Sequence, residues 1–493
     1  MNTARPSSPA PAADLDRASC YRALAARDTR FDGVFFTGVK TTGVYCRPVC
    51  AVRTPRESSC EFFGSAAAAE AAGFRPCLRC RPELAPYALQ QNLAHAVWQR
   101  IAGGALNDGS IEQLSEEVGL SSRQLRRVLT QHFGVTPVEL AQTHRLLFAK
   151  KLLQETQLPM ADVAYAAGFG SVRRFNALFA GRYGIAPGNV RRSAPRQGAS
   201  AEGSLTLRLA YRPPYDWHRI LRYLAGRAAA GVEAIDEEHG SYARSVRFGA
   251  AAGWLRVTQL AERSQLEAEV SASLSAVLMP LLAKLRSQFD LDANPAVIEA
   301  HLAADPLLAS RIAAAPGLRV PGAFDPFELA VRAVLGQQVS VAGATTLCGR
   351  LVARFGSPAD TPLAGISRHF PTPSTLSAAS EQDIAAIGLP GARAAAVQAL
   401  ARYAQEGGLE PRPGMPLECA VAELKSVKGI GDWTAHYIAM RAMRFPDAFP
   451  AGDLGLQKEA AEGGQRLTQR QLAERVSAWS PWRAYGALAL WMG

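Results

Sequence analysis

Cys46-Arg47-Pro48-Val49-Cys50, followed after an intervening segment by Cys77-Leu78-Arg79-Cys80, is the stretch from which the rest of the chain can be read. Two close cysteine pairs separated by a loop can fold back into one tetrahedral set of thiolates around Zn2+, whose filled d shell imposes no other geometry. The competing readings are two disulfides or four unrelated buried thiols. Disulfides need an oxidising compartment, and no charged n-region followed by an apolar h-region opens the chain. Of the other cysteines, Cys20 and Cys60 flank the cluster, while Cys348 and Cys419 stand in apolar helical surroundings, where a buried structural thiol is the expectation.

Most four-cysteine zinc sites are inert, so the neighbouring residues decide whether this one reacts. Upstream lies Phe35-Phe36-Thr37-Gly38-Val39-Lys40-Thr41-Thr42-Gly43-Val44-Tyr45, and Gly73-Phe74-Arg75-Pro76 leads into the second pair. From about Ser19 to Glu83 the chain resembles the N-terminal domain of the Ada methylation-response proteins. That resemblance implies one zinc ion held by Cys46, Cys50, Cys77 and Cys80. It implies that Cys46 is also the irreversible acceptor of a methyl group from a DNA methylphosphotriester, and that Thr42 and Arg53 contact the methylated phosphate. Independently of the family, metal binding keeps sulfur deprotonated at neutral pH, and a thiolate is the nucleophile that alkyl transfer needs. Four thiolates on a divalent cation carry a formal charge of minus two towards a polyanion. Methylating one leaves about minus one, which lowers repulsion from DNA and lets repair act as a switch.

The chain has 493 residues, too many for one core, and should hold three or four domains. Its 48% hydrophobic content describes a globular protein, and no run of 18 or more uncharged apolar residues predicts a membrane span. A cytoplasmic, nucleoid-associated protein is expected. The formal net charge of +11 is uneven: residues 1–200 carry 25 Lys and Arg against 15 Asp and Glu, or +10, and the remainder carries +1. The N-terminal part should therefore meet nucleic acid through net charge, the C-terminal part through local features.

Residues 1–13, rich in Ala, Pro and Ser, read as a tail outside the fold. Beyond the metal module, expected over 14–85, a helix-rich segment should occupy 86–192. Ser110 caps an apolar-periodic helix, Gly119 makes a turn, and a basic helix runs from Ser121 to Phe133. The pattern returns at Leu158 to Gly168 and Ser171 to Tyr183, implying two helix-turn-helix units. Ala167-Gly168-Phe169-Gly170-Ser171-Val172-Arg173-Arg174-Phe175-Asn176 and Gly184-Ile185-Ala186-Pro187 resemble the AraC family of transcription regulators. Arg123, Arg126 and Arg127, then Arg173 and Arg174, with Ser122, Ser171 and Asn176, are the candidates for DNA contact, most of them to phosphate. Phe169, Phe175 and Phe179 are assigned to the core.

A linker by composition spans 193–204. Leu205 to Ala210 alternates as a strand, Asp216 to Ala230 reads as a helix, and Ser241 to Leu260 suggests a strand pair around Gly253, giving an α+β domain over 205–320. Tyr211-Arg212-Pro213-Pro214-Tyr215-Asp216-Trp217 resembles the opening of the AlkA alkyladenine DNA glycosylases, and the helical remainder, 321–493, continues the resemblance. Gly429-Ile430-Gly431 fits the turn of a DNA-binding helix-hairpin-helix, where absent side chains let backbone amides approach a phosphate. Gly-x-Gly alone is weak. Joined to Trp433-Thr434-Ala435 and to Asp453, it is identified with the HhH-GPD glycosylases. Position alone would leave Asp453 as readily a helix cap. The resemblance implies that it faces the deoxyribose of an extruded nucleotide, where a fixed carboxylate stabilises positive charge appearing in the transition state.

The same resemblance implies a base pocket of Tyr223, Trp433, Tyr437 and Trp491, each of which taken singly would be read as core. Trp433 stands where relatives that also cut the backbone carry a Schiff-base lysine, so a monofunctional glycosylase is expected. Gln338 takes the position of the wedge inserted into the base stack, which AlkA fills with an apolar residue. Leu454 replaces an aromatic residue, and no Pro-Cys-His-Arg tetrapeptide suggests O6-methylguanine repair.

The expected fold class is thus multidomain, α+β and all-α: a zinc module, a double helix-turn-helix, an AlkA-type N-terminal domain and a helical glycosylase domain. The expected function is a fused alkylation sensor, activator and DNA-3-methyladenine glycosylase, with double-stranded DNA and RNA polymerase as partners. The competing expectation is a regulator whose glycosylase-like domain only binds DNA.

Overall fold

A computed structural model describes residues 16–86, 93–193, 203–410, 412–461 and 465–492. The expected N-terminal tail, and most of the expected linker, lie outside the described residues. The chain forms two compact units, one of residues 1–212 with 275–283 and one of 213–274 with 284–493.

In the first unit the aromatic, β-branched run before Cys46 forms a hairpin. Strand β1 (Phe36–Val39) pairs antiparallel with β2 (Val44–Cys46) in the register Thr37 to Cys46 and Val39 to Val44. Strand β3 (Cys60–Phe63) adds to the other side of β1, and β4 (Arg75–Pro76) runs parallel to β2. Phe36, Tyr45, Phe63 and Phe74 fill one face, with the Phe36 and Tyr45 rings edge-on at 5.8 Å. This core is too small to hold a domain alone, which is the setting in which a structural metal is needed.

The two expected helix-turn-helix units are present among the described residues. Helices Ile111–Glu117 and Ser122–Phe133 form the first, and Met160–Ala166 and Val172–Tyr183 the second. Ser110 and Ser121 each make a capping box with the glutamine three residues on, satisfying two orphan donors per helix start. Phe169, Phe175 and Phe179 are buried, as read from the sequence, Phe175 meeting Phe179 edge-to-face and Phe169 at a tilt of 51°. The long helix Pro137–Glu155 joins the two units. The metal module docks on it through buried charges: Lys150 Nζ lies 2.6 Å from Glu83, and Arg81 lies 2.6 Å from Glu155. Strand β5 (Ser204–Ala210) also belongs to this unit, with Arg208 N donating to Glu155 at 3.1 Å.

In the second unit β6 (Glu233–Asp236), β7 (Ser241–Phe248), β8 (Ala251–Leu260) and β9 (Gln265–Ser271) form an antiparallel meander. The strand pair turns at Gly249 rather than at Gly253, which lies within β8. A Cβ on Gly253 would stand 2.0 Å from Ser271 Oγ, so this glycine makes room for the neighbouring strand instead of a turn. The helix expected over Asp216 to Ala230 is shorter, Trp217–Ala225, because the chain leaves it at Gly226 to enter the sheet. Beyond residue 321 the unit is helical apart from a two-residue ladder between Ser357–Pro358 and Arg368–His369. Cys348 is buried as expected, whereas Cys419 is exposed, on the outer side of helix Leu417–Ser426. Among the described residues no helix is long and apolar enough to cross a membrane.

Candidate functional sites

The metal site is assembled by backbone geometry. Cys46 ends β2, Cys50 follows a tight turn in which its N–H donates to Arg47 O, and Cys77 follows β4 with its N–H donating to Tyr45 O at 3.0 Å. All four sulfurs, of Cys46, Cys50, Cys77 and Cys80, lie within 4.8 Å of one another. Cys46, Cys50 and Cys77 are buried and Cys80 is half-buried.

This donor set fits a thiophilic divalent cation. Hydrogen bonding among the four sulfurs pulls Cys50 and Cys77 below and pushes Cys46 and Cys80 above the ordinary thiol value, so four protonated thiols cannot all be satisfied together. A cation replaces those protons and leaves four thiolates together. Arg47, which motif reading passed over, braces the set. Its N–H donates to Cys80 Sγ at 3.4 Å, and its guanidinium holds Cys80 O at 3.2 Å and the Asp32 carboxylate, with Nε at 2.8 Å. Thr42 is exposed in the β1–β2 turn, at the end of the hairpin opposite the Thr37–Cys46 pair, and Arg53 is exposed in the loop after Cys50, so both are open to solvent.

A second link joins this module to the helix-turn-helix part, and no motif announced it. Glu70 is buried and accepts from Tyr45 Oη at 3.0 Å, Thr143 Oγ1 at 3.2 Å and Arg182 at 2.8 Å. Burial pushes its carboxyl up to about 7, against the pull of Arg182. Arg123, Arg126 and Arg127 on one recognition helix, and Arg173 and Arg174 on the other, are all exposed. Their helices turn Leu125, Leu129, Phe175 and Phe179 inward.

In the second unit, Gly429 adopts φ +86 and leads through buried Ile430 to Gly431, which caps helix Asp432–Arg441. A Cβ on Gly429 would stand 2.5 Å from Ala396 Cβ, while around Gly431 nothing lies within 4 Å, leaving the turn open. Gln337 ties this hairpin to the neighbouring loop, donating to Gly429 O at 3.0 Å and to Thr434 Oγ1 at 3.1 Å. Gln338 beside it is exposed with φ +56, a conformation that costs a non-glycine residue about 1 kcal/mol or more.

Asp453 caps helix Leu454–Glu459, its Oδ1 accepting from Leu456 N at 2.9 Å. The same oxygen accepts from Trp491 Nε1 at 3.1 Å, and Oδ2 accepts from Trp433 Nε1 at 3.0 Å. Three N–H donors thus converge on a group that, ionised, only accepts. Trp433 and Tyr437, one turn apart, are stacked at 5.2 Å and 9°, and Trp491 lies 6.2 Å from Tyr437. Tyr223 is buried behind them, between the guanidinium groups of Arg227, 3.9 Å from its ring, and Arg441, at 5.0 Å.

Arg441 also donates to Tyr437 Oη at 2.7 Å. Burial opposes ionisation of Tyr437, yet Arg441, Arg227 and a hydrogen bond with Tyr223 together outweigh it and hold the phenol below its ordinary value. The four aromatic residues and Asp453 are therefore one cluster, with Arg441 its unforeseen sixth member. Its spacing, four residues after Tyr437 and eight after Trp433, was the available signal. His436 is half-buried, with burial lowering its imidazole, and makes none of the hydrogen bonds or ring contacts described for this cluster.

Fold and sites together define a zinc-thiolate helix-turn-helix regulator joined to a helix-hairpin-helix DNA glycosylase. Family models match in that order: the metal binding domain of Ada over residues 19–83, a helix-turn-helix domain over 114–193, the AlkA N-terminal domain over 206–325, and the HhH-GPD superfamily of base excision DNA repair proteins over 331–481. A Mycobacterium tuberculosis protein named "Probable bifunctional transcriptional activator/DNA repair enzyme AlkA" is 37% identical over 97% of this chain and 96% of its own length. The DNA-3-methyladenine glycosylase 2 of Escherichia coli is 39% identical over 57% of this chain and 95% of its own length. A solved 3-methyladenine DNA-glycosylase from Archaeoglobus fulgidus shares the fold of the C-terminal part, with a TM-score of 0.50 and 21% identity over 57% of this chain and 96% of that one. The chain belongs to the family of bifunctional transcriptional activator/DNA repair enzymes that combine Ada-type and AlkA-type domains.

Proposed function

We propose that this chain senses and repairs DNA alkylation with two separate chemistries. Cys46 takes a methyl group from a methylphosphotriester: the sulfur–carbon bond forms as the carbon–oxygen bond breaks, and the electron pair leaves with the phosphate oxygen, restoring a diester. Bound zinc supplies a thiolate at neutral pH in place of a thiol. Thr42 and Arg53, both exposed, contact the phosphate. The lost negative charge at the cluster tightens binding of promoter DNA through the two recognition helices, from which RNA polymerase is engaged on DNA in the nucleoid.

Asp453 stabilises the positive charge that develops on deoxyribose as the glycosidic bond of an alkylated base such as 3-methyladenine breaks. A base made cationic by ring-nitrogen alkylation is held by stacking on Trp433, Tyr437 and Trp491. Tyr437, whose oxygen is held by Arg441, and Tyr223 complete the pocket. The hairpin at Gly429, Ile430 and Gly431 grips the backbone, and Gln338 fills the gap left by the extruded nucleotide. With an indole at position 433 and no amine, the product is an abasic site.

The observation that carries the repair half is the carboxylate of Asp453 fixed by two indole N–H groups at the edge of an aromatic cluster. Incubation of full-length protein with duplex containing 3-methyladenine tests it. Base release that disappears in Asp453→Asn is expected. A protein that binds this duplex without releasing base at any concentration would be a regulator whose second half only binds DNA.

A further inference from the structure

Thr37 stands directly across the β1–β2 ladder from Cys46, so the two side chains lie on one face of the sheet. Directly opposed residues keep their Cβ atoms about 4.5–5.5 Å apart. Thr37 is fully buried, and its Oγ1 has no hydrogen-bond partner. A buried hydroxyl left unpaired is costly, and such a group in a native fold needs an explanation. A recess in the protein is lined by Thr37, Cys46 and Cys50, with Leu24, Val39 and Val52 as its apolar wall. The other hydroxyl on that recess, of Thr54, is only half-buried and has water to turn to.

The buried position of Thr37 disfavours a hydrated phosphate as its partner, while the side chain of Cys46, directly across the ladder on the same face and lining the same recess, offers an anionic acceptor once its sulfur is ionised. Rotation about χ1 exchanges the Thr hydroxyl and methyl group with almost no change of volume. We propose that Thr37 is a positioning residue for the methyl transfer, its hydroxyl donating to the thiolate of Cys46 and restraining that sulfur until substrate arrives.

The donor seen on another of the sulfurs is a backbone N–H, that of Arg47 to Cys80 at 3.4 Å. Only a side-chain donor can leave by a rotamer change. A hydrogen bond to the thiolate stabilises the charged ground state more than a transition state in which that charge is departing, so it slows alkylation. A thioether is a weak acceptor, so methylation releases the hydroxyl again.

The inference rests on Cys46 being the acceptor, and two measurements on the full-length chain separate the two claims. The first uses iodomethane on zinc-loaded protein, with the adduct located by peptide mass spectrometry. Thr37→Val should alkylate at Cys46 several-fold faster, up to about tenfold, and Thr37→Ser should return to the parent rate. The second uses cobalt(II) in place of zinc. Thr37→Val should move the thiolate-to-metal charge-transfer band to lower energy, and Thr37→Ser should restore it.

Equal rates and superimposed bands, with the adduct on Cys46, overturn the role of Thr37 and leave the acceptor standing. A variant slowed only with methylphosphotriester DNA overturns it as well, because the hydroxyl would then serve the phosphate. An adduct mapped to another cysteine in the parent protein overturns both claims. Should Thr37→Val fail to bind one metal per chain, Thr37→Ala carries the same comparison.

Discussion

Trp491 donates its indole N–H to Asp453 Oδ1 at 3.1 Å, from a helix that ends the described chain 38 residues later in sequence. With Trp433 donating to the other oxygen, the carboxylate is fixed at both ends before any substrate binds. Such preorganisation is what makes a charge effective against a transition state, since no reorientation is needed when the sugar becomes positive.

Trp491→Phe keeps an aromatic ring in the cluster and removes that donor. A hydrogen bond to a charged group contributes about 1.5–3 kcal/mol, so the single-turnover rate of base release should fall by about tenfold to hundredfold. Binding of duplex containing an abasic site should change little. A variant with the parent rate would show that the indole holds nothing the reaction needs.

Metal removal should divide the molecule's two chemistries. The four thiols sit together in a module whose aromatic core is small. Full-length protein treated with a chelator strong enough to strip thiolate-bound zinc should lose methyl transfer and the heat resistance of residues 19–83. Base release should stay within about twofold, because the Asp453 cluster belongs to the other compact unit. Parallel loss of both activities would contradict this division.

Some of this was legible in the sequence because the chemistry is local. Two cysteine pairs at short spacing need only one hairpin and one turn to meet, and both are in the motif itself. Asp453 was open to two readings that the structure joins: one face of Oδ1 caps a helix, and the carboxylate also receives two indoles. Thr37, Glu70 and Arg441 were not legible, because their meaning depends on what lies across a ladder, on another helix or beneath a ring. Gly253 misled for a related reason. A glycine in a strand can mark a turn or a close neighbour, and only the position of Ser271 decides between them.

The recognition helices can be told apart from decoration by salt. Arg173 is exposed at the start of helix Val172–Tyr183, where its side chain can meet a phosphate or a base edge. If it meets a phosphate, Arg173→Ala should weaken binding to promoter and unrelated duplex alike, and reduce the slope of log affinity against log salt by about one. If it reads a base, affinity for the promoter alone should fall. Unchanged binding of both duplexes at low salt would remove Arg173 from the interface.

Glu70 gives the first unit a pH dependence whose sign is fixed by its surroundings. Its carboxyl is raised from an ordinary 4.5 to about 7, chiefly by burial, with Arg182, Tyr45 and Thr143 facing it and Tyr183 nearby. The folded protein therefore holds this proton more tightly than the unfolded chain does. The stability so contributed is fully present below about 4.5 and is lost as pH rises through about 7, amounting to about 3 kcal/mol at most. Glu70→Gln has no proton to lose, so hydrogen exchange of helix Ala66–Ala71 should depend less on pH across that window than in the parent, once intrinsic exchange rates are divided out. Because Arg182 lies on the second recognition helix and Tyr45 adjoins Cys46, the same comparison reports whether Cys46 and that helix are held by one carboxylate. Identical pH profiles in parent and variant would mean that Glu70 is ionised throughout, and that its neighbours, not burial, control it.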